Sequence, residues 1–91
     1  MPVKVLIPTP LRSYTGKQAS VDLDGSTVGE VLQHLIGLHS LLKNHLYSED
    51  GKVRKFVNVY VNDEDIRYLQ HEQTSVKDKD IISIIPSIAG G

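Results

Sequence analysis

An α+β fold, a mixed sheet of about five strands packed on one main helix, is what three features of this 91-residue chain predict. Apolar and polar residues alternate over 3–7, 19–23 and 56–61, the period of a half-buried strand. Between the second and third of these, Val28, Val31, Leu32 and Leu35 recur at helical spacing behind a Thr-x-x-Glu start. Near the end, Ile81-Ile82-Ser83-Ile84-Ile85 is apolar on almost every residue, the pattern of a strand with neighbours on both sides.

The first strand sets Val3, Val5 and Ile7 on one face and Lys4 and Leu6 on the other, and Pro8 and Pro10 close it. Residues 9–17, with Pro10, Ser13 and Gly16, read as a loop. Ala19, Val21 and Leu23 against Gln18, Ser20 and Asp22 give a second strand, expected to form a hairpin with the first. Asp24-Gly25 signals a turn. Thr27-Val28-Gly29-Glu30 fits a capping box: the Thr27 hydroxyl accepts from the Glu30 amide, and the Glu30 carboxylate accepts from the Thr27 amide.

A helix follows over 28–38, with Gly37 inside it or at its end. Ser40 opens a short second helical turn that offers Leu41, Leu42 and Leu46 for burial, and 48–52 is a polar loop. In 56–61, Val57, Val59 and Val61 share a face; Asn62-Asp63 turns the chain, and 66–69 is assigned to a short edge strand. Lys77-Asp78-Lys79-Asp80 turns before the last strand, 81–85, which Pro86, lacking an amide hydrogen, helps to end.

This order of elements matches a β-grasp fold, in which the closing strand lies parallel beside the first and its C-terminal end projects off the sheet. Residues 1–86 then form one domain and 87–91 a flexible tail ending in Gly90-Gly91. Such a tail extends about 17 Å at ~3.4 Å per residue, enough to enter a partner's cleft. Glycine carries no Cβ, so a Gly-Gly end fits a channel too narrow for other pairs. Ile88, Ala89, Gly90 and Gly91 are therefore expected to enter a partner's active site, with the carboxylate of Gly91 as the reacting group. Small residues also collect at frayed ends, and two terminal glycines arise by chance in about one chain in 200, so the tail alone decides nothing.

Composition removes several classes of function. Forty per cent apolar and 23% charged is ordinary globular composition, and with one Phe and no Trp the core must be aliphatic. A net charge of −1 argues against nucleic acid as the main partner, because phosphate neutralisation needs a clustered cationic excess. No apolar run approaches a membrane span, and Met1-Pro2-Val3-Lys4 lacks the build of a signal peptide, so a cytoplasmic location is expected with no membrane partner. Cysteine is absent, which removes disulfides, thiolate metal ligands and side-chain sulfur nucleophiles together.

Strand alternation supplies a second candidate site. If Val57, Val59 and Val61 face the helix, Phe56, Asn58 and Tyr60 face away; if Ile82 and Ile84 face it, Ile81, Ser83 and Ile85 do not. Leu6, Phe56, Tyr60 and Ile85 would then form an apolar patch on the open sheet face near the root of the tail, the usual mark of a partner surface. Covering loops or a different register would dissolve it.

Asp63-Glu64-Asp65 reads as a solvated turn, since no calcium-loop glycine or further ligand series accompanies it. His34, His39, His45 and His71 show no zinc spacing, so neither a metal nor a resident cofactor is implied. Arg12, Arg54, Lys55 and Arg67 are solvated charges by default and would otherwise steer the chain onto acidic partner surfaces. No nucleophile–base signature is legible, so no catalytic residue is assigned.

Several segments together carry a family resemblance: Ile7-Pro8-Thr9 with Leu11-Arg12, Thr15-Gly16, Thr27-Val28-Gly29, the block Phe56-Val57-Asn58-Val59-Tyr60-Val61-Asn62-Asp63-Glu64-Asp65-Ile66-Arg67, and the tail Ile85-Pro86-Ser87-Ile88-Ala89-Gly90-Gly91. Over essentially its whole length the chain resembles the ubiquitin-like sulfur carriers, the family of the thiamine sulfur carrier and the molybdopterin synthase small subunit. The block over 56–67 points to the branch that serves cysteine biosynthesis.

The resemblance implies a carrier that catalyses nothing itself. An E1-like adenylating and sulfurtransferase enzyme would activate the Gly91 carboxylate, and a sulfur donor would convert it to a thiocarboxylate. A cysteine synthase using an activated serine would accept the sulfur, and a metallopeptidase would release cysteine. Three other roles fit the same residues: the small subunit of molybdopterin synthase, a ubiquitin-like modifier joined to lysines, and a non-catalytic β-grasp interaction module.

Overall fold

The computed structural model describes residues 2–86, which form a five-stranded sheet in the order β2-β1-β5-β3-β4. The strands are β1 (Val3–Leu6), β2 (Ser20–Leu23), β3 (Val57–Val61), β4 (Glu64–Asp65) and β5 (Ile81–Pro86); the helices are α1 (Val28–Leu38) and the short α2 (Lys43–Leu46). β1 and β2 pair antiparallel, with Val5 opposite Val21. β5 lies parallel to β1 and antiparallel to β3, so the apolar closing strand is central, as its composition predicts.

One face of the sheet builds the core. Val3, Val5, Val21, Leu23, Val59, Val61, Ile82 and Ile84 are buried together with Val28, Val31, Leu32 and Leu35 of α1. α1 starts where its cap predicts, and the Glu30 amide donates to Thr27 Oγ1 at 3.2 Å. The reciprocal arm of the box differs. Glu30 Oε1 accepts from the Ser26 amide at 2.9 Å, one residue earlier than the expected Thr27 amide. Segment 74–76 straps this end of the helix, because Val28 donates to the Thr74 carbonyl and Val76 to the Ser26 carbonyl. Gly25 permits the tight approach of the preceding turn, since a Cβ there would lie 2.5 Å from Val31 Cγ2.

Four further expectations of local structure need correction. Residues 9–17 are not a loop: a 3-10 helix runs over Thr9–Thr15 and tucks Leu11 and Thr15 into the core, and the Thr15 hydroxyl is shared between the Arg12 and Gln18 carbonyls. Of the leucines offered after Ser40, Leu42 and Leu46 are buried, whereas Leu41 is exposed on the outer side of the 3-10 turn Ser40–Leu42. The edge strand expected at 66–69 is instead β4 at Glu64–Asp65 followed by a 3-10 turn, Ile66–Tyr68. Asp65 causes the switch by accepting the Arg67 amide at 2.8 Å and capping the turn. Pro86 is the last residue of β5 rather than the one beyond it, and lies opposite Val57.

Two turns behave as their residues predict. Asn62 and Asp63 both take positive φ, 49° and 74°, the left-handed pair of a two-residue hairpin between β3 and β4. Asp80 closes the turn before β5, accepting from the Lys77 amide and from Asn62 Nδ2, while Asn62 Oδ1 accepts from the Ile81 amide at 3.0 Å. The boundary placed between 86 and 87, and the flexible tail beyond it, lie outside the described residues.

Candidate partner surface at the end of the sheet

Among the described residues no helix covers the sheet face turned away from α1, and the side chains of that face follow from register. Ser83 of β5 stands between Leu6 of β1 and Tyr60 of β3; one step toward the C-terminal end of β5, Ile85 stands opposite Asn58. Leu6, Tyr60 and Ile85 therefore surround Ser83 on the open face. Phe56, expected to begin this strand, instead lies in the turn before β3 and outside its register. Leu6 is 39% exposed, Ile85 50% and Phe56 56%, and Tyr60 is half-buried. Ile81, at the other end of β5, extends the apolar row on the same face.

Beside the patch lies an arrangement that sequence reasoning missed. The Arg67 guanidinium grips Asp65, with Nη2 2.7 Å from Oδ2 and Nε 3.1 Å from Oδ1, and Nη2 also donates to Asn58 Oδ1 at 2.7 Å. This hydrogen bonding holds the Asp65 carboxyl below the usual carboxylate range and raises the Arg67 guanidinium further. The network fixes a planar cation at the rim of the apolar patch. Its one sequence signal is a capping-type residue, Asp65, directly before the apolar Ile66.

The other candidate cations sit differently. Arg12 Nε donates to the Ile7 carbonyl at 3.0 Å, at the C-terminal end of β1, and Arg54 Nε donates to the Asn44 carbonyl at 2.8 Å, just before β3. With Lys55, they stand at the end of the sheet where β5 reaches Pro86. His45 stacks on Tyr14 with ring centroids 4.5 Å apart, and His34 Nδ1 meets the Asp24 carbonyl at 2.5 Å. Among the described residues no three His, Asp or Glu side chains gather as a metal site would require.

Tyr47 is a second residue that sequence analysis passed over. It is buried in the otherwise aliphatic core, and its hydroxyl makes no hydrogen bond among the described residues. Burial, helped by the charge of Glu72, pushes its phenol up to about 12; Gln33 is near enough to pull partly the other way without meeting bonding geometry.

Ile88, Ala89, Gly90 and Gly91 lie outside the described residues, so the geometry speaks only for the root of their segment. β5 runs parallel to β1, and its C-terminal end comes out beside the apolar patch.

A parallel first and last strand, a capped helix across one face and an open apolar surface on the other define a ubiquitin-like β-grasp domain. The chain belongs to the ThiS family, a family of ubiquitin-like sulfur carriers, whose profile matches residues 5–91. It is 44% identical to the sulfur carrier protein CysO of Mycobacterium tuberculosis over 93 aligned residues, covering all of both chains. A chain in the crystal structure of the Amycolatopsis orientalis BexX/CysO complex superposes with a TM-score of 0.89 at 44% identity, covering 98% of this chain and 99% of that one. Small archaeal modifier protein 3 of Haloferax volcanii is 38% identical over 68 residues, 75% of this chain and 73% of its own length.

Proposed function

We propose that Gly91 is the loading site of this sulfur carrier and that the sulfur it carries is used in cysteine biosynthesis. The observation that supports this reading is the end-to-end 44% identity to sulfur carrier proteins named CysO, in a fold whose closing strand runs out beside an open apolar face. A carrier of this kind is a substrate of other enzymes and performs no catalysis itself.

The α-carboxylate of Gly91, with a reference pKa of about 3.5, is ionised at neutral pH and is a poor electrophile. An E1-like enzyme would join it to AMP from ATP with release of pyrophosphate. A sulfur donor would then attack the carbonyl carbon and expel AMP, leaving a thiocarboxylate. That sulfur is nucleophilic and would displace the activating group of a serine derivative in a cysteine synthase. A metallopeptidase would finally hydrolyse the link to Gly91, releasing cysteine and restoring the carboxylate. Because the chain has no cysteine, no side-chain thiol of its own competes for the activated carbonyl. Leu6, Phe56, Tyr60 and Ile85 would dock on the adenylating enzyme and set the tail, Ile88 to Gly91, into its channel.

The test is the intact mass of the protein from its native cells. A fraction about 16 Da heavier, oxygen replaced by sulfur and localised to Gly91, is the expected result. A mass unchanged after incubation with ATP, sulfide and a cell extract would overturn the proposal.

A second reading, attachment to lysines as a modifier, is favoured by the similarity to small archaeal modifier protein 3. It predicts isopeptide-linked conjugates in cell extracts that disappear when Gly91 is deleted.

A further inference from the structure

We propose that the outer edge of β3, beside Val57 and Val59, docks an extended acidic segment of a partner protein, which adds to the sheet as a short strand. The Asn62 amide donates to the Ile81 carbonyl at 2.9 Å, so the even-numbered residues of β3 direct their backbone groups toward β5. The odd-numbered residues direct theirs the other way, where β4 pairs only opposite Tyr60 and Val61. The Val57 amide turns to the Arg54 carbonyl at 3.0 Å. No described hydrogen bond outside the ladders uses the Val57 carbonyl or the Val59 amide.

Asp65 creates this gap. By capping the turn at Ile66 it takes the chain away from the sheet before a full ladder can form alongside Val59. The Val57 carbonyl and Val59 amide are spaced so that one residue of a parallel incoming strand can donate to the first and accept from the second. An unpaired strand edge of this kind is a template for another chain.

Charge selects the occupant. A groove of ≈ 450 Å³ runs along the edge, and its rim carries Lys52, Arg54, Lys55 and Arg67 against two carboxylates, Asp65 and Glu72. Asp65 is already committed to Arg67, and although Lys52 also lies near Asp50, the lining keeps more cations than free carboxylates. The same cations discourage two copies of this edge from pairing and favour a strand flanked by Asp or Glu. This site is on the opposite side of β3 from β5, and its use does not depend on whether Gly91 is loaded.

The experiment is a nuclear magnetic resonance titration of the isotope-labelled full chain with a short blocked peptide of alternating glutamate and valine. Shifts centred on Val57, Val59 and Lys55 are expected, with hydrogen exchange at the Val59 amide slowed about tenfold or more at saturation. Lys55→Glu should weaken binding about threefold to tenfold, as should a rise in salt. A peptide methylated on its backbone nitrogens should not bind.

Three results would each overturn the proposal. One is the absence of shifts at millimolar peptide, or shifts centred on Leu6 and Ile85. Another is equal binding by a lysine–valine peptide. The third is protection of Val59 that grows with protein concentration without peptide, which would give the edge to a second copy of the chain.

Discussion

β5 carries four isoleucines whose surroundings divide cleanly by face. Ile82 and Ile84, on the helix side, are 0% and 2% exposed; Ile81 and Ile85, on the open side, are 38% and 50% exposed. Burying such a side chain is worth about 1.5–3 kcal/mol, so the inner pair stabilises the domain while the outer pair leaves much of that energy unused. Similar residues on one strand therefore do different jobs. The inner face holds the fold, and the outer face keeps apolar surface available for association beside the point where β5 leaves the sheet.

Breaking the inner face should have the largest effect. Ile82→Ala is expected to cost about 2–5 kcal/mol, read as a lowered urea midpoint, because it opens a cavity in a fully buried layer. A change under about 1 kcal/mol would mean that the two faces are less different than their burial implies. Tyr47→Phe should move the other way, raising stability by up to about 1 kcal/mol in thermal unfolding, since it removes a buried hydroxyl that makes no hydrogen bond among the described residues.

Acid should weaken the polar fittings of the sheet. Hydrogen bonds from Arg67 to Asp65 and from Asn62 to Asp80 hold both carboxyls below their ordinary 3.8 in the folded state. A depressed folded value contributes stability that is present above the unfolded value and lost as pH falls through the folded one. The urea midpoint should therefore drop as pH goes below about 4, and Asp80→Asn should flatten part of that slope. Smallest in stability but sharpest in consequence is Ile85→Ser. Its unfolding free energy should change by less than about 1 kcal/mol, while ATP-dependent sulfur loading by an extract should slow severalfold. Equal loading rates for the wild type and this variant would remove Ile85 from the docking surface.

Much of this architecture was legible because it is periodic. Val28, Val31, Leu32 and Leu35 announce α1, and Val57, Val59 and Val61 announce the inner face of β3, by spacing alone. The 3-10 helix over Thr9–Thr15 was not legible, because one buried leucine among prolines and polar residues has no period to read. Leu41 and Leu42 look equivalent in sequence, and only the direction of a short turn decides that the second is buried. At 66–69 the apolar composition suggested a strand, but a single capping carboxylate, Asp65, overrode it. The Arg67–Asp65–Asn58 network and the orphaned Tyr47 hydroxyl depend on tertiary neighbours, which spacing does not report. Leu6, Tyr60 and Ile85 share the open face by alternation once register is known, whereas Phe56 falls in the turn before β3, where alternation does not apply.

The parallel pairing of β1 with β5 has a consequence for synthesis. Lys4 lies opposite Ile81, and β5 alone joins the β2-β1 half of the sheet to the β3-β4 half. Of the described elements, this joining strand is the last that a ribosome delivers. A nascent chain that stalls before Ile81 holds two unjoined half-sheets and depends on contacts of very high sequence separation that cannot yet form. Translation past β5 is therefore needed both to complete the fold and to bring out the residues on which loading is proposed. A prematurely released chain would expose the unpaired edges of both half-sheets and be recognisable to proteolysis.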